Sequence, residues 1–257
     1  MTDATLQQAA KTALSLLDLT DLSDTCDDAA IERLCARAIT PYGSVAAICI
    51  WPRFVAKARH FLGVDSPVRI ATVVNFPGGD LPVETVVTET TTALADGADE
   101  IDLVIPYRAL MAGDEDAVRT MISAVRAACQ APVTLKVILE TGELKDRNLI
   151  RNASHIAIRE HADFIKTSTG KVAINATLET ADLMLTSIQE SGRKVGFKPA
   201  GGVRTVTDAK AYLDLASTIF GQDWVSPATF RFGASGLLDD ILATLDGRDN
   251  NTAEAVY

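Results

Sequence analysis

Short apolar runs alternate regularly with stretches of helical periodicity along this sequence. The apolar runs are rich in β-branched residues, and repeated strand–helix units of this kind are typical of a parallel sheet. We predict eight strands, at residues 16–19, 46–50, 70–74, 100–104, 134–139, 164–167, 195–199 and 230–233. The clearest helices are predicted at residues 83–96, 109–128, 146–160, 178–190 and 206–220.

Eight strands that alternate with helices favour an α/β fold, a single (β/α)8 barrel of the TIM type, although an open doubly wound sheet can give the same pattern. The length of 257 residues fits one such barrel, and the 47% of apolar residues can fill its core. We therefore expect residues 1–257 to form one catalytic domain. A polar segment at about residues 246–257 is expected to be a flexible C-terminal tail.

The composition argues against several classes of partner. A formal net charge of −10 disfavours binding to nucleic acids and to anionic membranes. No uninterrupted apolar run of about 18 residues occurs, and residues 1–11 do not resemble a signal peptide. The four cysteines are scattered and are expected to be reduced thiols. These features predict a cytoplasmic protein that binds neither nucleic acid nor membrane.

Ionisable residues interrupt four of the predicted strands, namely Asp102, Lys136, Lys166 and Lys198. Parallel strands are covered on both faces, so a charge inside one needs an explanation. Each lysine, taken alone, could lie near a strand end and extend its ammonium to solvent. Together they favour a tuned site, because burying an unpaired ammonium is costly and three lysines would converge with one carboxylate.

The chemistry that needs such an arrangement is nucleophilic catalysis by an amine. The ordinary pKa of lysine is about 10.4, whereas attack on a carbonyl carbon requires the uncharged amine. A neighbouring ammonium and partial desolvation can together lower that pKa by about three units. The pattern predicts Lys166 as the nucleophile, Lys198 as its cationic neighbour and Asp102 as the group that transfers protons.

Glycine-containing segments follow the last three predicted strands, at residues 167–171, 199–204 and 233–236. In barrels, the loops after the seventh and eighth strands often form a phosphate site from backbone N–H groups, which glycine allows to approach closely. A plain strand-to-helix turn is the alternative for Gly201 and Gly202. A P-loop is excluded, because Ile165 and Val172 stand where a Walker motif needs glycine and serine or threonine. We therefore favour a monophosphate site.

Seven segments of the sequence resemble deoxyribose-phosphate aldolases: residues 46–54, 75–77, 98–102, 106–110, 140–144, 162–170 and 196–204. The resemblance extends from about residue 14 to the end of the chain. It implies a class I aldolase that reversibly cleaves 2-deoxy-D-ribose 5-phosphate to D-glyceraldehyde 3-phosphate and acetaldehyde through a lysine Schiff base. It also implies that no metal or other cofactor is needed and that the protein is a homodimer.

The resemblance implies roles for individual residues. Lys166 would form the Schiff base, Lys198 would lower its pKa and Asp102 would transfer protons, in agreement with the reasoning from the residues alone. Asp18 would support Lys198, whereas without the resemblance a strand-end cap is the better interpretation of Asp18. The residues implied to surround the substrate and its phosphate are Thr169, Gly170, Lys171, Gly201, Gly202, Gly233 and Ser235.

Two further assignments depend on the resemblance. Bacterial members of the family that end in tyrosine use this residue as a mobile proton shuttle, so Tyr257 is included among the catalytic residues. Gly236 departs from the family pattern, in which a second serine follows the first. We expect the backbone N–H of Gly236 to replace that hydroxyl, with an effect on phosphate affinity rather than a loss of activity.

Three rival interpretations differ in the residues that they require. A metal-dependent aldolase or hydrolase needs clustered histidine and carboxylate ligands, but His60, His155 and His161 lie in or beside predicted helices. A pyridoxal-phosphate enzyme would also use a lysine imine and a phosphate site. A sugar-phosphate binding protein without activity would be expected to lack Lys166 or Asp102, and both are present.

Overall fold

Eight short parallel strands form the centre of the molecule. The computed structural model describes residues 3–248. In chain order the strands are β1 Leu17–Asp21, β2 Ala47–Ile50, β3 Arg69–Val74, β4 Glu100–Val104, β5 Thr134–Ile138, β6 Phe164–Lys166, β7 Gly196–Lys198 and β8 Phe232–Ala234. Their residues are almost all buried, as expected when helices cover the outer face of a parallel sheet and side chains fill its inside.

The strands close into a barrel. From β1 to β7, each strand pairs in parallel with the next one in the chain, and β8 pairs with β1. The remaining gap, between β7 and β8, is closed by two parallel bridges, Phe197 with Phe230 and Ala200 with Gly233. The predicted (β/α)8 barrel is therefore confirmed, and the open doubly wound sheet is excluded.

Helices surround the barrel and connect its strands. They are α1 Asp3–Ser15, α2 Asp28–Arg37, α3 Val55–Leu62, α4 Val83–Ala95, α5 Tyr107–Met111, α6 Glu115–Ala128, α7 Thr141–Leu144, α8 Arg147–Arg159, α9 Leu178–Ser191, α10 Val206–Phe220 and α11 Leu237–Leu245. Two 3-10 turns, Pro52–Phe54 and Gln222–Trp224, and a hairpin of Ile39–Thr40 with Gly43–Ser44 complete the chain as described. Within residues 3–248, no helix is both long and apolar enough to cross a membrane.

The structure corrects one predicted helix. The sequence predicts one helix over residues 109–128, but α5 ends at Met111 and α6 begins at Glu115. Gly113 separates them with φ of 91°, a left-handed conformation that a helix cannot contain. Asp114 then caps α6, because its carboxylate accepts a hydrogen bond from the backbone N–H of Ala117 at 3.0 Å.

The parallel arrangement gives the barrel two different ends. All strands finish at one end, which we call the mouth, and all begin at the other, which we call the base. Side chains alternate between the barrel interior and the helix layer along each strand. Residues two apart on one strand therefore lie on the same side, and a residue near a strand end faces the loops of the mouth.

Candidate active site

Seven charged side chains lie inside the barrel, and we call them the interior cluster. None is more than 6% exposed. The members are Asp18, Glu100, Asp102, Lys136, Lys166, Lys198 and Arg231. Charges this deeply buried are tolerated only when they are paired and hydrogen-bonded, and each of these side chains has at least one oppositely charged partner.

Asp102 lies at the centre of the interior cluster. Its Oδ1 accepts a hydrogen bond from Nζ of Lys136 at 2.9 Å, and its Oδ2 accepts one from Lys166 at 2.7 Å and one from Lys198 at 2.8 Å. The strand register explains the convergence, because Asp102 pairs with Lys136 across β4 and β5, and Lys166 pairs with Lys198 across β6 and β7. The structure thus brings together the four strand charges found in the sequence.

Asp18 connects Lys198 to the rest of the cluster. Its Oδ2 lies 2.5 Å from Nζ of Lys198, and its Oδ1 accepts a hydrogen bond from Nη1 of Arg231 at 2.7 Å. Asp18 is fully buried within β1 and both carboxylate oxygens are engaged by side chains. These contacts, rather than a strand-end cap, account for an aspartate at this position.

The two lysines that share Asp102 Oδ2 differ in pKa. Burial lowers the pKa of Lys166 below its ordinary value, and the neighbouring ammonium of Lys198 adds to this against the opposing pull of Asp102. Burial acts on Lys198 in the same direction, but the carboxylates of Asp102 and Asp18 outweigh it and raise the pKa of Lys198 well above the ordinary value. Lys166 is therefore suited to be an amine and Lys198 to stay an ammonium.

A cavity of about 380 Å³ opens at the mouth directly above this pair. Of the two lysines, Lys166 lines this cavity. Every residue predicted to contact substrate or phosphate also lines it: Thr169, Gly170, Lys171, Gly201, Gly202, Gly233, Ser235 and Gly236. Wider clefts of about 650 and 570 Å³ lie at the base, and neither is lined by Lys166 or Lys198.

The glycines of the cavity are required by their surroundings. Gly201 has φ of 78°, and a Cβ atom there would lie 2.7 Å from Cβ of Asn175. A Cβ atom at Gly233 would lie 2.9 Å from Cβ of Ala200 and 3.1 Å from Cε of Lys198. Gly236 faces open space immediately before α11, whose first N–H groups attract anions. The loops can therefore present backbone N–H groups to a phosphate.

Glu140 is a buried residue of the site that the sequence reasoning did not assign. It follows β5 by two residues and has a left-handed backbone with φ of 57°. Its carboxylate accepts hydrogen bonds from Oγ1 of Thr169 at 2.6 Å and from the N–H of Thr169 at 3.2 Å, and burial raises the pKa of Glu140. Oγ1 of Thr169 in turn accepts the N–H of Lys171 at 3.0 Å. Glu140 therefore holds one wall of the cavity in place.

Glu100 and Arg231 also belong to the interior cluster without having been predicted. A signal for Glu100 was present, since it lies two residues before Asp102 and must share its face of β4. Arg231 lies within the predicted strand 230–233, at the end where the strand begins. Both were overlooked because they lie at strand starts, where a charged residue is ordinarily a solvent-exposed one.

Some predicted residues lie elsewhere. Tyr257 and residues 249–256 of the expected tail fall outside residues 3–248, so the proton-shuttle role of Tyr257 stays a prediction. His60 lies in α3, His155 in α8, and His161 directly after α8. In the described part of the chain, no group of three or more histidine, cysteine, aspartate or glutamate side chains could hold a metal ion.

Comparisons with known proteins agree with this geometry. Residues 12–239 match the model of the DeoC/LacD family of aldolases. A deoxyribose-phosphate aldolase from Agrobacterium fabrum (strain C58) is 65% identical to this chain over 251 residues, which cover 98% of the chain and 97% of that protein.

Solved structures show the same architecture. A protein from Toxoplasma gondii ME49 that is assigned as a deoxyribose-phosphate aldolase superposes with a TM-score of 0.88 at 27% identity, over 97% of this chain and 98% of its own. The deoxyribose phosphate aldolase from Aeropyrum pernix shares the fold, with a TM-score of 0.75 at 23% identity over 95% of this chain and 98% of its own. The match of the family model, the near full-length relative and the buried lysine pair lead to one assignment: this chain belongs to the DeoC/LacD family of aldolases.

Proposed function

We propose that this chain is a class I deoxyribose-phosphate aldolase, which reversibly cleaves 2-deoxy-D-ribose 5-phosphate to D-glyceraldehyde 3-phosphate and acetaldehyde through a Schiff base on Lys166. The observation that carries the proposal is the pair of buried lysines on one oxygen of Asp102. Lys166 lies 2.7 Å from that oxygen and Lys198 lies 2.8 Å from it, yet their pKa values shift in opposite directions. Amine catalysis needs such a division between an uncharged nucleophile and a permanent cation.

In the first step, the amine of Lys166 attacks the aldehyde carbon C1 of the open-chain sugar. The resulting carbinolamine takes up a proton on its oxygen and loses water, which leaves an iminium on C1. We assign this proton transfer to Asp102, because its Oδ2 lies 2.7 Å from Nζ of Lys166, while Lys198 stays an ammonium and holds the same oxygen at 2.8 Å. The iminium then serves as the electron sink for the cleavage.

In the second step, the hydroxyl group on C3 loses its proton and the bond between C2 and C3 breaks. The electron pair of that bond moves into the iminium to form an enamine, and glyceraldehyde 3-phosphate leaves. Asp102, whose pKa is held well below its ordinary value by Lys136, Lys166 and Lys198 against the effect of burial, is ionised and can accept this proton. Returning the proton to C2 and adding water to the imine releases acetaldehyde and Lys166.

We assign the phosphate to the glycine loops of the mouth. Gly201 and Gly202 follow β7, and Ser235 and Gly236 lead into α11. The positive φ angles of Gly201 and Gly202 and the start of α11 suit backbone N–H groups that converge on an anion. The side chain of Lys171 adds a local cation in a chain whose net charge is −10.

The test is chemical trapping of the imine. Acetaldehyde and sodium cyanoborohydride are added to the protein, and the modified peptide is identified by mass spectrometry. We expect a reduced two-carbon adduct on Lys166 that forms equally well in EDTA, together with cleavage of deoxyribose 5-phosphate. Lys166→Ala removes both, whereas Lys194→Ala, a change at an exposed lysine, leaves both unchanged. An adduct on another lysine, or activity in Lys166→Ala, would contradict the proposal.

We further propose that the protein acts in the cytoplasm as a homodimer of single-domain chains with a tail after about residue 246. Four unpaired, buried cysteines suit a reducing compartment. Large apolar side chains exposed on the outside of the barrel, such as Val64 at 83% and Ile39 at 58%, favour a partner surface. Light scattering at micromolar protein concentration measures the assembly, and a monomer would contradict the dimer.

A further inference from the structure

The base of the barrel carries a buried ion pair that the reaction steps above do not use. Nη2 of Arg231 lies 2.9 Å from Oε1 of Glu100. Arg231 is 6% exposed and Glu100 is 2% exposed. Both residues line the 570 Å³ cleft at the base, on the opposite side of the barrel from the cavity that holds Lys166. Neither can touch a substrate bound at the mouth.

Two chains of hydrogen bonds and ion pairs nevertheless connect this pair to Lys166. Glu100 contacts Nζ of Lys136 at 2.5 Å, and Lys136 in turn donates to Asp102 at 2.9 Å. Asp102 then accepts the hydrogen bond from Lys166 at 2.7 Å.

The second chain runs along the other side of the barrel interior. Arg231 donates to Asp18 at 2.7 Å, and Asp18 lies 2.5 Å from Lys198. Lys198 donates to the same oxygen of Asp102 that Lys166 uses. The whole interior cluster is therefore one continuous electrostatic unit.

The charges of the interior cluster balance only when one basic group is neutral. The cluster has three carboxylates, those of Asp18, Glu100 and Asp102, against four basic side chains. The basic members are Lys136, Lys166, Lys198 and Arg231. A net charge in a water-excluded interior is costly, so the balanced state of the cluster has three cations and one uncharged base. Glu140, a further buried carboxylate, is counted apart from the cluster because its hydrogen bonds go to Thr169.

The contacts decide which base is uncharged. Arginine does not lose its proton in proteins. Among residues 3–248, Lys136 lies within 4.0 Å of three carboxylates and Lys198 of two, whereas Lys166 contacts only that of Asp102. Lys166 thus has the weakest hold on its proton, and it is also the lysine that faces the cavity.

We propose that Arg231 and Glu100 are positioning residues that set the charge balance of the interior cluster from the base of the barrel, and so determine how much of the Lys166 side chain is present as free amine. This inference rests on the proposed function, because it concerns the same nucleophile. The other charged or titratable groups that act on Lys166 are Asp102 of β4, Lys198 of β7, Cys49 of β2 and Glu140 after β5. The test leaves all of these unaltered.

Opposite changes of charge give opposite results. Glu100→Gln keeps the side-chain size and removes a negative charge, so Lys166 releases its proton more readily. Arg231→Met removes a positive charge, so Lys166 holds its proton more firmly. We expect the pH midpoint of imine formation to fall by about one unit in Glu100→Gln and to rise by about one unit in Arg231→Met. At pH values below the midpoint, trapping should therefore be about tenfold faster in Glu100→Gln and about tenfold slower in Arg231→Met.

Two further variants separate charge from packing. Arg231→Lys keeps the positive charge, and we expect its midpoint to stay at that of the unaltered protein. The double variant Glu100→Gln/Arg231→Met restores the charge balance without the ion pair. Its pH midpoint of imine formation should lie within a few tenths of a pH unit of that of the unaltered protein. A merely structural role would not restore the pH midpoint in the double variant.

The measurement is the rate at which acetaldehyde and cyanoborohydride modify Lys166 across a pH series, with circular dichroism and the thermal midpoint recorded for each variant. If Arg231→Met does not fold, the pH midpoint of Lys166 modification in Glu100→Gln tests the inference by itself. A folded Glu100→Gln protein whose midpoint is unchanged or raised overturns the inference while leaving the proposed function intact. Absence of any adduct on Lys166 in the unaltered protein overturns the proposed function itself.

Discussion

Nζ of Lys166 and Oδ2 of Asp102 lie 2.7 Å apart, and neither residue is more than 3% exposed. The same carboxylate oxygen also accepts the hydrogen bond from Lys198 at 2.8 Å. One oxygen thus contacts both the amine with a lowered pKa and the ammonium with a raised pKa. A proton can pass between substrate and protein over single hydrogen-bond distances, which makes Asp102 the residue whose loss should be most damaging after that of Lys166.

Replacing Asp102 by asparagine should lower kcat by about 10²- to 10⁴-fold, the usual contribution of general acid–base catalysis. Asparagine keeps the shape but cannot accept a proton at the reacting centre. Steady-state cleavage of deoxyribose 5-phosphate measures the effect. Asp116→Asn, a change at an exposed carboxylate on α6, is the control that should keep full activity. Near-normal turnover in a folded Asp102→Asn protein would rule out the assigned role.

Removing the ammonium of Lys198 should move the pH profile of activity upward. The ammonium disfavours a second positive charge on Lys166, so Lys198→Met raises the pKa of Lys166 and reduces the free amine at neutral pH. We expect activity at pH 7 to drop at least about tenfold, with partial recovery at higher pH. Lys198→Arg keeps the charge and should leave the midpoint near its original value. An unshifted midpoint in Lys198→Met would contradict this explanation.

Acid should destabilise the protein through its buried carboxylates. Burial opposes ionisation of Asp18 and Asp102, but the surrounding cations outweigh it and hold both pKa values below those of an unfolded chain. Their contribution is therefore complete well above pH 4, the pKa of an unfolded aspartate, and it is lost as the pH falls through the lowered folded-state pKa values, by up to about 1.4 kcal/mol per pH unit for each carboxylate. Urea unfolding at pH 7, 5, 4 and 3 measures this, and a free energy of unfolding that stays constant down to pH 3 would disprove it.

A methyl group at Gly201 should weaken substrate binding. Gly201→Ala introduces strain at φ of 78° and places Cβ 2.7 Å from Asn175, which shifts the loop that we assign to the phosphate. Gly113→Ala is a matched control, because φ there is 91° but nothing lies within 4 Å and the residue is outside the cavity. Both variants should lose about 1 to 2 kcal/mol of stability. Only Gly201→Ala should raise KM, by about tenfold; equal KM values in the two variants would refute the loop assignment.

Substitution of Glu140 by glutamine should affect KM more than kcat. The carboxylate accepts one hydrogen bond from Thr169 on each of its two oxygens, whereas a glutamine amide has a single acceptor oxygen and can keep only one of them. The segment from Thr169 to Lys171 then loses its fixed position, and we expect KM for deoxyribose 5-phosphate to rise about three- to tenfold. Glu143→Gln, three residues along the chain, is the control. If kcat falls while KM is unchanged, Glu140 acts on the chemistry and not on the loop.

The barrel and the centre of its site could be predicted because they leave repeated signals in the sequence. Strand–helix alternation requires a parallel sheet, and a charge in a doubly covered strand is conspicuous, as with Asp102 and Lys166. The break at Gly113 leaves a local signal, because Gly113, Asp114 and the acidic residues after them are typical of one helix ending and another beginning, but the apolar periodicity on either side favours one long helix. Periodicity reports which face is buried, but it does not report the backbone angle of one residue.

The remaining site residues depend on side-chain paths that no spacing encodes. Arg231 directly precedes β8 at the base, and only its long side chain brings the guanidinium to Asp18 and Glu100. Glu140 reaches Thr169 because its backbone adopts a left-handed turn. The contacts of Arg231 follow from the closure of the barrel, which brings the starts of β1, β4 and β8 together at the base although these strands are far apart in the chain.

Gly233 lines the substrate cavity and also packs against Lys198, so a substitution there would alter both at once. The space where its Cβ would stand is bordered by Cε of Lys198 on one side and by Ala200 on the other. In the reverse reaction, an aldehyde without a phosphate could replace glyceraldehyde 3-phosphate as the acceptor. A larger residue introduced at position 233 to bind such an aldehyde would also displace the ammonium of Lys198 beside Lys166. A Cβ atom at Gly236 would have no atom of the described residues within 4 Å, so a side chain there would not displace Lys198. Libraries that aim to broaden acceptor range should therefore vary position 236 and keep position 233 as glycine.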